Sequence, residues 1–289
     1  MLWGFFYSTT QYQTGDEMIS KTIRMCNGIE MPRLGLGVWK AAKGNETREA
    51  VLQAIEAGYR HIDTAAMYGN EEDVGAAVRE SGLPRSEIFV TTKLWNTDQG
   101  YEQALKAFAT SFAKLRIEYV DLYLIHWPVA GLRLDSWRAL EKLHKEGLIK
   151  TIGVSNYMVN HLEELKAVAE VQPAVNQIEI HPFLQHVAVR DYCAKNDIVV
   201  QAYSPLMRGD RLDHPVIVEV AERAGRSAAQ VVLRWLLEKN LVVLPKSINP
   251  GRIVENSKIF DFELSAQDIK MLDGLNEDAA IGWDPRGMA

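Results

Sequence analysis

Residues 120–126 read Val120-Asp121-Leu122-Tyr123-Leu124-Ile125-His126, a short apolar run that ends on a histidine. Longer stretches with apolar residues at helical spacing lie on either side of it, Tyr101–Leu115 before and Leu134–Glu146 after. The same alternation extends in both directions. Further strand-like runs are Leu34–Val38, His61–Thr64, Ile88–Leu94, Ile149–Ser155, Val175–Ile180, Ile198–Ser204 and Leu241–Ser247. Helical patterns between them include Glu46–Ala57, Glu71–Ser81, Met158–Val168, Val187–Asn196 and Ala228–Glu238. Eight strands alternating with helices is the count of a closed α/β barrel, the (β/α)8 or TIM-barrel class. No Pro/Gly/Ser linker divides the chain, so one barrel is expected over residues 21–289. In front of it Asn27-Gly28 between Thr22–Met25 and Ile29–Arg33 signals a β-hairpin, expected to close the bottom of the barrel.

The chain has 289 residues, with 32 Lys and Arg against 38 Asp and Glu, and the net charge of −6 without a long basic run argues against nucleic acid as a partner. Two cysteines far apart, Cys26 and Cys193, form neither a disulfide framework nor a zinc knuckle, which suits a reducing cytoplasm. Residues 1–20 are apolar in places, but no Lys or Arg precedes Lys21, so a signal peptide is not expected, and the run is too short to span a bilayer. They read as a leader outside the fold, with Met18 as a native start.

Catalytic residues of such barrels come from the C-terminal ends of several strands. Three runs end on or near four reactive groups: Asp63 closes the second, Tyr68 follows in its loop, Lys93 lies near the end of the third, and His126 ends the fourth. Singly, each has an ordinary structural role, as cap, packing aromatic, rim charge or strand-end imidazole; together they describe proton donation to a carbonyl. A neighbouring ammonium lowers a phenol's pKa, so Lys93 would activate Tyr68 as the acid, Asp63 would hold Lys93, and His126 would orient the carbonyl. The histidines include no HxxxH, HxH or HExxH arrangement, so no metal is expected and a hydride donor is the natural companion.

Gly35-Leu36-Gly37 is a poor dinucleotide fingerprint, lacking the third glycine. A better anion site is Lys246-Ser247-Ile248-Asn249-Pro250-Gly251-Arg252 before a helical stretch Ile253–Lys258, where a helix N-terminus and two cations would take a 2′-phosphate. Ser155, Asn156 and Gln177 offer donors and acceptors for a carboxamide, and Tyr203 a flat face.

The motifs Gly58-Tyr59-Arg60-His61-Ile62-Asp63-Thr64-Ala65 with Tyr68 and Asn70-Glu71, Leu115 through Tyr119 to Pro128, Gly153-Val154-Ser155-Asn156, and Pro245-Lys246-Ser247 with Arg252 and Glu255-Asn256 resemble those of the aldo-keto reductases. The resemblance runs from about Thr22 to the C-terminus and implies NADPH-dependent carbonyl reduction with Asp63, Tyr68, Lys93 and His126 as catalytic tetrad. It further implies Gly37, Val38, Trp39, Ser155, Asn156, Gln177 and Tyr203 on the cofactor's nicotinamide side, and Ser204 and Leu206 along its pyrophosphate. Lys246, Ser247, Asn249 and Arg252 fall at the 2′-phosphate, and Glu255 and Asn256 at the adenine. Trp39, Trp95 and Trp127, with His126, would wall the substrate pocket.

Within the family the chain looks most like the bacterial 2,5-diketo-D-gluconate reductases, which also reduce methylglyoxal and small keto esters. The short segment Val129–Leu134 and the short tail after Gly282-Trp283-Asp284-Pro285 imply an open, polar-tolerant mouth. The loop Met207-Arg208-Gly209-Asp210-Arg211 departs from the pattern, its two arginines suiting an anionic substrate or the cofactor's diphosphate. A monomer acting on a small carbonyl compound, away from nucleic acid and membrane, is expected. Two other readings remain: Lys93 as the Schiff-base nucleophile of an aldolase barrel, and a non-catalytic, cofactor-sensing channel subunit.

Overall fold

The computed structural model describes residues 19–288. The chain opens with a two-stranded antiparallel hairpin, β1 (Thr22–Arg24) and β2 (Glu30–Pro32), turning through Gly28 at φ +82°. Eight parallel strands follow: β3 (Leu36–Gly37), β4 (His61–Asp63), β5 (Phe89–Leu94), β6 (Val120–Ile125), β7 (Ile149–Ser155), β8 (Val175–Glu179), β9 (Val199–Tyr203) and β10 (Val242–Leu244). They pair in sequence order, and bridges Leu34 to Val243 and Gly37 to Lys246 join the first strand to the last, closing the barrel. Strands covered on both faces need apolar residues throughout, which is why these runs read as continuous rather than alternating.

The outer helices are α1 (Asn45–Glu56), α2 (Glu71–Glu80), α3 (Tyr101–Leu115), α4 (Arg133–Lys145), α5 (Val159–Lys166), α6 (Val187–Lys195), α7 (Pro215–Ala224), α8 (Ala228–Glu238), α9 (Pro250–Ser257) and α10 (Ala266–Asp273). Packing of α9 on both α1 and α8 completes the ring, while α7 and α10 lie against each other outside the repeat. Those two carry local signals beyond apolar spacing. Pro215 occupies the first turn of α7 with Gly225 at its C-cap, and Ser265 with Asp268 forms a capping box on α10. The last anticipated helix begins at Pro250 rather than Ile253, because Asn249 caps it.

Gly35-Leu36-Gly37 serves closure and not phosphate binding. A Cβ on Gly35 would stand 2.6 Å from Leu244 Cδ2 and 2.9 Å from the His61 ring, so only glycine lets β3 meet its neighbours. On the outside, a Cβ on Gly75 would lie 1.9 Å from the Leu115 carbonyl oxygen, which explains how α2 docks against the end of α3.

The interior divides by height. The lower half is an apolar plug of Phe89, Leu122, Leu124, Val175, Val199, Val242 and Leu244, capped from below by Met25 and Met31 of the hairpin. Successive inward positions on β5 run Phe89, Thr91, Lys93, from apolar floor to charged rim. Most of the leader lies outside the described residues, but Ile19, assigned to it above, packs against the main core. Among the described residues no helix is long and apolar enough to cross a membrane.

Candidate active site

At the upper end of the barrel Lys93 Nζ donates to Asp63 Oδ1 at 2.6 Å, to the Thr64 carbonyl at 2.8 Å and towards the Tyr68 hydroxyl at 3.5 Å. Lys93 is fully buried and Asp63 nearly so. A second partner holds the carboxylate: Gln177 Nε2 donates to Asp63 Oδ2 at 2.7 Å and also to Gln201 Oε1 at 2.8 Å. Thr64, Asn70 and Glu71, motif members without an assigned role, anchor the Tyr68 loop. Thr64 Oγ1 donates to Asn70 Oδ1 at 2.8 Å, Asn70 Nδ2 donates to the Val38 carbonyl at 3.0 Å, and Thr92 Oγ1 donates to the buried Glu71 at 2.6 Å. The loop is thereby fixed at both ends, and the turn Ala66–Tyr68 presents the phenol beside the ammonium.

Burial, with Asp63 and Tyr203 adding to it, holds the Tyr68 pKa well above 10.0. The expected lowering by Lys93 is not found: burial, the largest cause, disfavours the phenolate, so the proton stays on the hydroxyl. Burial also draws the Lys93 pKa down from 10.5, with Asp63 pulling the other way. His126 is buried, and desolvation followed by the Lys93 charge pushes its pKa well below 6.5. Its imidazole is therefore neutral near pH 7, and its Nδ1 has no hydrogen-bond partner among the described residues.

Aromatic rings surround these groups. Trp39 lies 5.0 Å from Tyr68 between ring centroids, Tyr68 5.9 Å from His126, and Trp95 5.1 Å from His126. Trp127 is 5.7 Å from Trp283, a residue of the C-terminal segment that is 67% exposed.

Ser155, Asn156, Gln177 and Tyr203 form one network. Asn156, at φ +63°, donates from Nδ2 to the His126 carbonyl and to Ser155 Oγ, and its Oδ1 accepts from the Tyr203 hydroxyl at 2.9 Å. Ser155 Oγ donates to the Gln177 carbonyl. Beyond β9 the chain takes left-handed backbone at Ser204, Met207 and Arg208, with Leu206 half-buried among them. Arg211 forms a two-pronged pair with Glu277 at 2.7 and 2.8 Å and stacks on Phe183, which leaves its guanidinium committed; Arg208 is exposed.

Lys246, Asn249 and Arg252 are exposed at the start of α9, while Ser247 is buried below them. Among the described residues neither Lys246 nor Arg252 enters an ion pair. Asn249 Oδ1 accepts from the Arg252 amide at 3.0 Å, so Asn249 is a helix cap before it is a ligand. Glu255 is half-buried and Asn256 buried. Two unpaired cations around a helix N-terminus are a donor set that fits a phosphate monoester. Among the described residues no His, Cys, Asp and Glu cluster suited to a metal ion occurs.

The aldo/keto reductase family model matches residues 33–277. The chain is 52% identical over 267 residues to the glyoxal reductase of Bacillus subtilis, covering 92% of this chain and 97% of that one. It superposes with a TM-score of 0.89 on an aldo-keto reductase from a deep-sea metagenome library, at 46% identity over 93% of this chain and 99% of that one. It also superposes with a TM-score of 0.85 on a Bombyx mori aldo-keto reductase in complex with NADP, at 34% identity over 90% of this chain and 94% of that one. The chain belongs to the aldo/keto reductase family, carbonyl-reducing enzymes, and has its (β/α)8 barrel.

Proposed function

We propose that this enzyme reduces small α-dicarbonyl compounds, methylglyoxal and glyoxal first, with 2,5-diketo-D-gluconate, keto esters and simple aldehydes as further substrates. In this reading residues 21–289 act as a monomer, and Asp63, Tyr68, Lys93 and His126 are the catalytic residues. The observation that carries it is the three-way contact of Lys93 Nζ with Asp63, the Thr64 carbonyl and Tyr68. NADPH, when bound, supplies the hydride. Lys246, Arg252 and Ser247 hold its 2′-phosphate, with Asn249 shaping their turn, and Ser155, Asn156, Gln177 and Tyr203 flank its nicotinamide. Gly37, Val38 and Trp39 line the cofactor's other side, Ser204 and Leu206 follow its pyrophosphate, and Glu255 and Asn256 lie at its adenine.

Neutral His126 donates a hydrogen bond that orients the substrate carbonyl, and Trp39, Trp95 and Trp127 exclude water around it. Tyr68 keeps its proton until negative charge grows on the carbonyl oxygen, then transfers it from the hydroxyl. The Lys93 ammonium stabilises the phenolate left behind, and Asp63, fixed by Gln177, keeps that ammonium in place.

The three donors of the Lys93 ammonium meet three acceptors, which leaves no free amine to attack a carbonyl and speaks against the aldolase reading. The test is a comparison of kcat/KM across methylglyoxal, glyoxal, 2,5-diketogluconate and simple aldehydes with NADPH, alongside Tyr68→Phe. That variant is expected to lose turnover while binding NADPH nearly as well as the parent. Unchanged turnover would remove Tyr68 from its role.

A further inference from the structure

The C-terminal segment reaches back over the barrel mouth and is caught there by a buried carboxylate that the tetrad does not use. Glu179 ends β8 and is 3% exposed. Its Oε1 accepts from the Ile281 amide at 2.7 Å and lies 3.1 Å from His181 Nε2; its Oε2 accepts from the Gly282 amide at 3.0 Å. A Cβ on Gly282 would stand 2.9 Å from Glu179 Oε2, 3.8 Å from Arg208 Nη2 and 3.9 Å from the Tyr203 hydroxyl. The segment is thus tied down beside both the nicotinamide-side tyrosine and the loop after β9.

The next residue, Trp283, is the one that packs on Trp127. Other ties flank the catch. Glu277 and Ala279 amides donate to the Phe183 carbonyl, Glu277 pairs with Arg211, and the Met288 carbonyl lies 3.1 Å from His161 Nε2. Between Ala279 and Asp284, however, Ile281 and Gly282 are held through Glu179. Two backbone amides on one carboxylate make charge-assisted bonds, which fix a backbone path more tightly than neutral ones. The indole of Trp283 has no comparable anchor of its own, being largely exposed.

We infer that Glu179 is a positioning residue that holds Trp283 against Trp127 and so sets the fit of the carbonyl substrate's outer portion. This rests on the carbonyl-reductase reading for its kinetic arm and not for its structural arm. The larger the group attached to the carbonyl, the more of it must lie against the two indoles, so an aryl α-dicarbonyl depends on the catch more than methylglyoxal does. Replacing Glu179 by Gln keeps one acceptor oxygen and turns an NH2 group towards the other amide, releasing half of the catch.

The structural arm is hydrogen exchange of the cofactor-free protein. Glu179→Gln is expected to speed exchange at Ile281 and Gly282 while core strands stay protected, and Tyr68→Phe is expected not to. The kinetic arm is phenylglyoxal against methylglyoxal with NADPH. Loss of an aromatic contact worth about 0.5–1.5 kcal/mol corresponds to a KM for phenylglyoxal raised roughly two- to tenfold. Methylglyoxal KM, kcat and the NADPH dissociation constant are expected to change less than twofold. Trp283→Ala is expected to raise the phenylglyoxal KM equally, and Glu179→Gln/Trp283→Ala to be no worse than either single change. If Glu179→Gln does not fold, Gly282→Ala, which crowds the same oxygen from the other side, takes its place. Unchanged exchange at Ile281 and Gly282, additive KM effects, or a loss confined to kcat would each overturn the inference. A parent protein inactive on every carbonyl would instead overturn the functional reading, leaving the exchange result to stand on its own.

Discussion

Lys93 and Asp63 lie 30 residues apart on adjacent strands, and their side chains meet at 2.6 Å with almost no exposure to solvent. The pair sits where the apolar plug gives way to the mouth, and its attraction must offset the removal of two charges from water.

Breaking that pair from one side leaves an uncompensated charge in the barrel. Asp63→Asn retains an oxygen for Gln177 but strands the ammonium, and is expected to cost about 3–5 kcal/mol of stability, read as a lower urea midpoint. A midpoint equal to the parent's would mean that Lys93 is not held as a charged partner.

Acid should destabilise the fold well before its carboxylates titrate. Burial, the largest cause, lowers the His61 pKa from 6.5 to about 4. The unfolded chain binds a proton at this residue below 6.5 while the folded chain does not, so the stability is complete above 6.5 and falls as pH drops towards 4. The full loss is about 3 kcal/mol for this one residue, and buried His126 adds to it in the same direction. Urea midpoints at a series of pH values check the slope. His61→Gln should flatten it, and a parent protein that gains stability on acidification would contradict the assignment.

Cofactor choice should rest on the exposed turn before α9. Arg252→Ala is expected to raise the NADPH KM by roughly tenfold and to leave the NADH KM almost unchanged, because only the 2′-phosphate offers charge-assisted bonds to the guanidinium. Equal effects on both cofactors would move the phosphate site elsewhere.

Much of the fold was legible because its cues are local. Each barrel strand is a short apolar run bounded by turns, each helix a longer amphipathic one, and α3 and α8 begin and end where the spacing places them. That Asp63, Tyr68, Lys93 and His126 would meet was legible as well, since the end of a barrel strand is a position in the sequence as much as in space. The helices α7 and α10 went unmarked, as their start and stop signals are caps and not an added strand.

What the sequence determined by itself is therefore the barrel, its order and the reactive groups at its rim. The tertiary structure decided which partner each group keeps: Gln177 committed to Asp63, Arg211 to Glu277, and Glu179 to amides 102 and 103 residues further along the chain. It also reversed the sign of the Tyr68 shift. Desolvation and hydrogen bonds between distant residues exist only once the barrel has closed, so no local pattern of side chains carries them.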